Sequence, residues 1–210
     1  MTTSEPYIGY VPFDEVDARM QAELERSALH GTPRPESSAV RAHSPEAFWA
    51  FADSWASLFR GGVLDNATKD LCRVYISRSV KCEFCGNQRS EAATTAGLVE
   101  AQYDELLNFE SSERYDERQK AALAYAQAIA WGEQDLDGMW TRLRRHFDDR
   151  ELVELGCFIG LTFGQQSWIR LLNIDHHQYL AGTAASMAPG FTNAEELAAS
   201  KADAGYWARG

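Results

Sequence analysis

Two cysteines three residues apart, Cys82-Glu83-Phe84-Cys85, are followed four residues later by Arg89 in a chain with four cysteines. That spacing fits half of a zinc site, a covalent staple or a working redox pair. On a helix each residue advances by ~100°, so Cys82, Cys85 and Arg89 would lie within ~60° of one another on one face. Cα atoms three apart on a helix are ~5 Å apart, inside the roughly 4.4–6.8 Å that a disulfide tolerates, so the pair can oxidise without unfolding. A helix N-terminus favours the thiolate, and Cys82 stands nearer that end. Arg89 is permanently cationic: it can steady a thiolate or hold an anion, but it cannot pass protons at neutral pH.

A zinc site needs two further ligands, and there is no second C-x-x-C; His146, His176 and His177 are distant in sequence. Adjacent His176 and His177 point ~100° apart on a helix and are expected at a polar helix end rather than on one ion. No Gly-rich phosphate loop is present, so neither metal nor cofactor is expected. Cys72 and Cys157 read as small core residues. An inert, buried cysteine pair stays open beside the redox reading.

The elements that must position these residues are helical throughout. Phe13, Val16, Met20 and Leu24 recur at helical spacing up to Gly31, and residues 31–43, with two prolines, read as a loop. Ser44-Pro45-Glu46 starts a helix whose stripe is Phe48, Phe51, Ala52, Trp55 and Phe59. Asp65 caps the next one, and another runs from about Cys82 to Gly97, with a short helix over 100–108. An alanine-rich helix opens at Ser111 or Ser112 and stops at Gly132. One follows over 135–146, and a long, mostly apolar and therefore central helix starts at Asp148-Asp149. The tail from 181 holds a capping box at Thr192 and Glu195, with Tyr206 and Trp207 near the end. No stretch alternates with period two, so the fold expected is all-α, a bundle of about eight helices in a single domain over 1–210.

Apolar residues make up 45% and charged residues 24%, the balance of an ordinary globular chain. Acidic residues outnumber basic ones 31 to 20, and the net charge of -11 repels polyanions, so nucleic acid and anionic membranes are not expected partners. No apolar run approaches the roughly 20 residues of a membrane span, and MTTSEPYIGY lacks the features of a signal peptide, so a cytoplasmic location is expected.

The run DLCRVYISRSVKCEFCGNQRSEAATTAGL, then ERQKAALAYAQAI and RELVELGCFIGL, resembles the carboxymuconolactone decarboxylase and alkylhydroperoxidase D-like family over roughly residues 45–180. On this resemblance 1–44 is an N-terminal extension and 181–210 a tail. The family motif places an acid twelve residues before the first cysteine and a histidine four after the second; here these positions hold Asp70 and Arg89. Phe84 stands where some peroxidase members carry another histidine. The resemblance implies that Cys85 attacks a hydroperoxide, Cys82 resolves the sulfenic acid, and Asp70 is the remaining proton-handling group. It also implies a thiol electron donor, or a disulfide as alternative substrate, and a homo-oligomer. Restoring histidine at position 89 is then expected to raise peroxide turnover. The runner-up is a lyase or lactone-processing enzyme on a carboxylated or aromatic metabolite, with Phe84 lining the substrate site and Arg89 or Arg170 as the carboxylate clamp. A third reading is a non-catalytic binding or assembly module.

Overall fold

The structure, a computed structural model, describes residues 5–176 and 178–180. His177 and the expected tail features from 181 onward lie outside the described residues. Within them the chain forms ten α-helices and no strand. A 3₁₀ turn, Phe13–Glu15, leads into α1 (Ala18–His30), so the first helix starts later than expected, where the Asp17 carboxylate accepts from the Met20 amide at 2.8 Å.

The loop expected over 31–43 is instead largely α2 (Pro35–Arg41), every residue of which is buried. Proline at the first helical position has no N–H to lose there, so it starts the helix. Because α2 is covered on all sides, its PESSAVR sequence shows no amphipathic period.

Helix α3 (Pro45–Trp55) is capped by Ser44 and runs into a π-helical turn, Ala56–Arg60. Its aromatic stripe is buried, and Phe51, Trp55 and Phe59 pack with Phe158 as one cluster. Asp65 caps α4 (Asn66–Ser79), accepting from the Thr68 amide at 2.7 Å. Three short helices follow, α5 (Glu83–Gly86), α6 (Glu91–Thr95) and α7 (Glu100–Asp104).

Helix α8 (Glu117–Trp131) opens at Asp116, not at Ser111 or Ser112. The Gln119 amide donates to Asp116 at 2.7 Å and the Asp116 amide to Gln119 at 3.2 Å; this reciprocal box satisfies two orphan donors, which a serine further upstream cannot do. Gly132 ends α8 at φ 84°. Then come α9 (Leu136–Leu143) and α10 (Asp149–Ile169).

Helix α4 is the centre, packed against α8 and α10. Leu71, Cys72, Val74 and Ile76 of α4 are fully buried against Ala121, Ala122, Leu123 and Ala126 of α8, whose small side chains permit the close approach. Helix α10 buries Leu152, Leu155 and Ile159 in the same core. It is not apolar-covered all round, however. Val153 is 66% exposed, and Cys157, expected in the core, is exposed on the outer face.

The fully buried Lys69 ammonium meets Glu154 of α10 at 2.6 Å, and Glu154 also accepts from the amides of Val63 and Leu64. Gly62, at φ 87°, lies against this carboxylate where any Cβ would collide with it. The turn before α4 is thereby fixed to α10.

Candidate functional site

Cys82 and Cys85 are joined by a disulfide, with Cα atoms 5.3 Å apart. Cys82 is the residue that caps α5, and its amide donates to the Ser77 carbonyl at 2.8 Å, tying the pair to the end of α4. The helix expected from Cys82 to Gly97 is broken. α5 is a single turn, and the Ser90 hydroxyl caps a new helix by accepting from the Ala93 amide. Arg89 lies between the two pieces, so the shared helical stripe of Cys82, Cys85 and Arg89 does not form. A single turn also carries little of the dipole that was expected to favour the Cys82 thiolate. Apolar neighbours of the pair are Val40, Phe84, Ile169, Leu172 and Ile174.

Beneath the disulfide lies a buried polar frame. Asp70 is fully buried; it accepts from Arg73 Nε at 2.7 Å and from the Tyr103 hydroxyl at 2.6 Å. Arg73 in turn donates to the Cys85 carbonyl at 2.8 Å and the Gln88 carbonyl at 2.6 Å, fixing the turn that carries the second cysteine. Burial and the neighbouring Asp70 push the Tyr103 hydroxyl far above its usual range, so it stays protonated as a donor.

Arg89 makes a two-pronged pair with Glu100, at 2.7 and 2.8 Å, and donates to the carbonyls of Gly86 and Gln88. Its guanidinium carbon lies 4.1 Å above the Tyr103 ring. Asp70 and Arg89 are thus bonded into one network that holds residues 85–89, while Arg170 lies outside it. Arg73, Tyr103 and Glu100 were missed. Asp70 and Arg73, three apart on a helix, were a readable pair; Tyr103 and Glu100 carry no local signal.

Two clefts border the cysteine turn. Cys85 lines the first, together with Phe51, Trp55, Arg73, Thr162 and Gln166, and its water-accessible space is about 20 Å³. Cys82 does not reach it. The second, of about 280 Å³, is lined by Phe84, Arg170, Lys81 and Asp175, which brings together the two residues proposed for substrate contact, away from the face that Cys85 presents.

His176, expected at a polar helix end, is 1% exposed. Its Nε2 donates to the Phe84 carbonyl at 2.9 Å, and the two rings lie 4.6 Å apart. An imidazole therefore comes to the cysteine turn from a residue ninety positions away. Among the described residues no group of histidines, cysteines and carboxylates is arranged to hold a metal. Burial pushes the Cys72 thiol well above the usual cysteine range, so it is a core residue and not a nucleophile.

Fold and site together define an all-helical C-x-x-C protein in which a buried carboxylate is tied through Arg73 to the turn that carries the disulfide. Residues 45–128, which hold Asp70, Cys82, Cys85 and Arg89, match the model of the carboxymuconolactone decarboxylase family. That match covers two fifths of the chain, and over it the segment is similar to the carboxymuconolactone decarboxylase family.

An uncharacterized protein of Mycobacterium tuberculosis is 37% identical over 93 residues, covering 44% of this chain and 33% of that protein, so the chain spans only about a third of that relative's length. Uncharacterized protein YdfG of Bacillus subtilis is 24% identical over 110 residues, 51% of this chain and 73% of the relative. Among solved structures, the debrominase Bmp8 bound to 2,3,4-tribromopyrrole superimposes with a TM-score of 0.71 at 15% identity, over 84% of this chain and 94% of that one. An alkylhydroperoxidase AhpD core protein of Ralstonia eutropha gives 0.68 at 15% identity, over 83% and 94%. These likenesses establish the fold over the described bundle. No helix among the described residues is long and apolar enough to cross a membrane.

Proposed function

We propose that the protein is a thiol-dependent oxidoreductase in which Cys85 reacts with a hydroperoxide and Cys82 resolves it. The observation that carries this reading is that Cys85 is bonded to Cys82 and at the same time lines a cleft. Cys85 is only 3% exposed, so this cleft is the route we assign to a small oxidant in a two-cysteine cycle.

In the reduced protein the Cys85 thiolate attacks the outer oxygen of ROOH. The S–O bond forms as O–O breaks, leaving Cys85 as a sulfenic acid and, with one proton, ROH. Cys82 then displaces hydroxide from that sulfur, which leaves as water, and the disulfide closes. A dithiol donor returns both cysteines to thiols by two exchange steps and becomes a disulfide itself. Asp70 and Arg89 serve this cycle by holding the 85–89 turn through Arg73, Tyr103 and Glu100. We also propose a homo-oligomer, as implied by the resemblance to the family.

The lyase reading has less support. Its candidate clamp Arg89 is already paired with Glu100, and Arg170 lines the cleft that Cys85 does not reach. The debrominase Bmp8, solved in complex with 2,3,4-tribromopyrrole, keeps debromination as a further use of such a fold. The test is substitution. Cys85→Ser should abolish oxidation by hydroperoxide, and Cys82→Ser should accumulate sulfenic acid or a mixed disulfide. Unchanged turnover in both variants removes the cysteines from the mechanism.

A further inference from the structure

Three buried polar atoms belong to residues that line the cleft beside Cys85: Trp55 Nε1, Thr162 Oγ1 and Gln166 Oε1. The residues are 4%, 1% and 5% exposed, and none of the three atoms has a hydrogen-bond partner among the described residues. Leaving such an atom unpaired is costly, and folded proteins rarely keep one unless a ligand or water takes the bond. Three around one cleft are not a packing accident of one side chain.

Their chemistry is complementary. Trp55, near the end of α3, has an indole N–H that only donates. Thr162 and Gln166 stand four apart on α10 and so share one face. Gln166 Nε2 already donates to the Arg73 carbonyl at 3.3 Å, which leaves Oε1 as a fixed acceptor. The Thr162 hydroxyl can do either.

The charges nearest this set are guanidinium groups: Arg41 stands behind the lining and donates to the Ser37 carbonyl at 2.8 Å and to Gln165 Oε1 at 2.6 Å. The one charged residue on the lining is Arg73, whose guanidinium is bonded to Asp70 and to two carbonyls. A water needs about 10–15 Å³ of accessible space, and the cleft has about 20 Å³. It suits a head group of one or two oxygens.

We propose that Trp55, Thr162 and Gln166 form the substrate-holding set of the Cys85 site, selecting a small uncharged head that both donates and accepts a hydrogen bond. This rests on the redox reading above, under which that head is the O–O–H group of a neutral hydroperoxide. The indole and hydroxyl donors are then also placed to stabilise the oxygen that gains negative charge as the O–O bond breaks.

The experiment is stopped-flow oxidation of the reduced full chain by hydrogen peroxide, compared with a carboxylated alkyl hydroperoxide, in wild type, Thr162→Val, Gln166→Leu and Trp55→Phe. Losing one hydrogen bond to the reacting group should slow hydrogen peroxide by about tenfold in each variant. Reduction of the Cys82–Cys85 disulfide by dithiothreitol, which does not use the set, should stay within about twofold. Thr162→Ser should restore the rate, which separates the hydroxyl from the packing. The carboxylated peroxide, whose body exceeds a cleft of about 20 Å³, should react more slowly than hydrogen peroxide in wild type.

Wild-type peroxide rates in all three variants, with or without a loss of folding stability, would show the orphan atoms to be structural and overturn the proposal while leaving the redox reading intact. Failure of hydrogen peroxide to oxidise the wild type, with the disulfide still reduced normally by dithiothreitol, would overturn the hydroperoxide reading and this proposal with it.

Discussion

Replacing Asp70 by asparagine separates holding the site from handling protons. Asp70 is fully buried and accepts two hydrogen bonds, from Arg73 at 2.7 Å and Tyr103 at 2.6 Å. Asparagine keeps the shape but leaves the guanidinium of Arg73, 1% exposed, without a counter-charge. Removing one partner of a buried pair typically costs about 3–5 kcal/mol, against a whole-protein stability of about 5–15 kcal/mol. Tyr103→Phe deletes one hydrogen bond to a charged group, worth about 1.5–3 kcal/mol. Both changes act on one carboxylate, so the double variant should lose less than the two singles together. Urea unfolding of the disulfide form, followed by tryptophan fluorescence, measures all three. Arg73 also fixes the Cys85 and Gln88 carbonyls, so peroxide reactivity should fall with stability and keep the pH profile of wild type. A loss of stability under about 1 kcal/mol combined with a changed pH profile would refute this reasoning and make Asp70 a proton-transfer group.

Arg89→His, expected from the family motif to raise turnover, should instead lower stability by about 3 kcal/mol with no gain in peroxide rate, because it removes the two-pronged pair to Glu100 and two bonds to carbonyls. A faster enzyme of unchanged stability contradicts that. Glu154→Gln should cost about 3 kcal/mol at neutral pH by leaving Lys69 buried without its carboxylate. Burial alone would raise the Glu154 carboxyl, but Lys69 and the Val63 and Leu64 amides outweigh it and hold it below the usual glutamate value of 4.5. A depressed carboxyl contributes stability that is present above its unfolded pKa and lost as pH falls through the folded one. The gap between wild type and variant in a pH series of unfolding midpoints should therefore close below pH 4.5; a gap that persists in acid contradicts the clamp.

Much of the bundle was legible because its helix signals are local. Ser44-Pro45, Asp65, Asp148 and Gly132 each act through bonds or dihedrals within a few residues, and they stand where expected. Helix α2 was not legible, since a segment buried on every side has no polar face to give it a period. The cysteine turn was misread as one long helix because Ser90 can equally end one helix or start another, and only packing against α4 decides. Of the site, the C-x-x-C and its acid were readable. Tyr103, Glu100, Trp55, Thr162, Gln166 and His176 reach it through folding alone, from helices or segments far away in sequence, and no spacing rule could have assembled them. Cys157 was misplaced because an apolar helix does not tell which side faces outward.

The central claim is that Cys82 and Cys85 form a reversible redox pair reached by a small oxidant at Cys85. The most direct test is to reduce the protein, treat it with one equivalent of hydrogen peroxide, and count free thiols alongside peptide mass mapping. Of the four cysteine thiols, the two of Cys82 and Cys85 should disappear into one disulfide-bearing peptide and return with dithiothreitol, while Cys72 and Cys157 stay free. Four thiols that survive the peroxide, or oxidation that falls on Cys157 with the pair untouched, would contradict it.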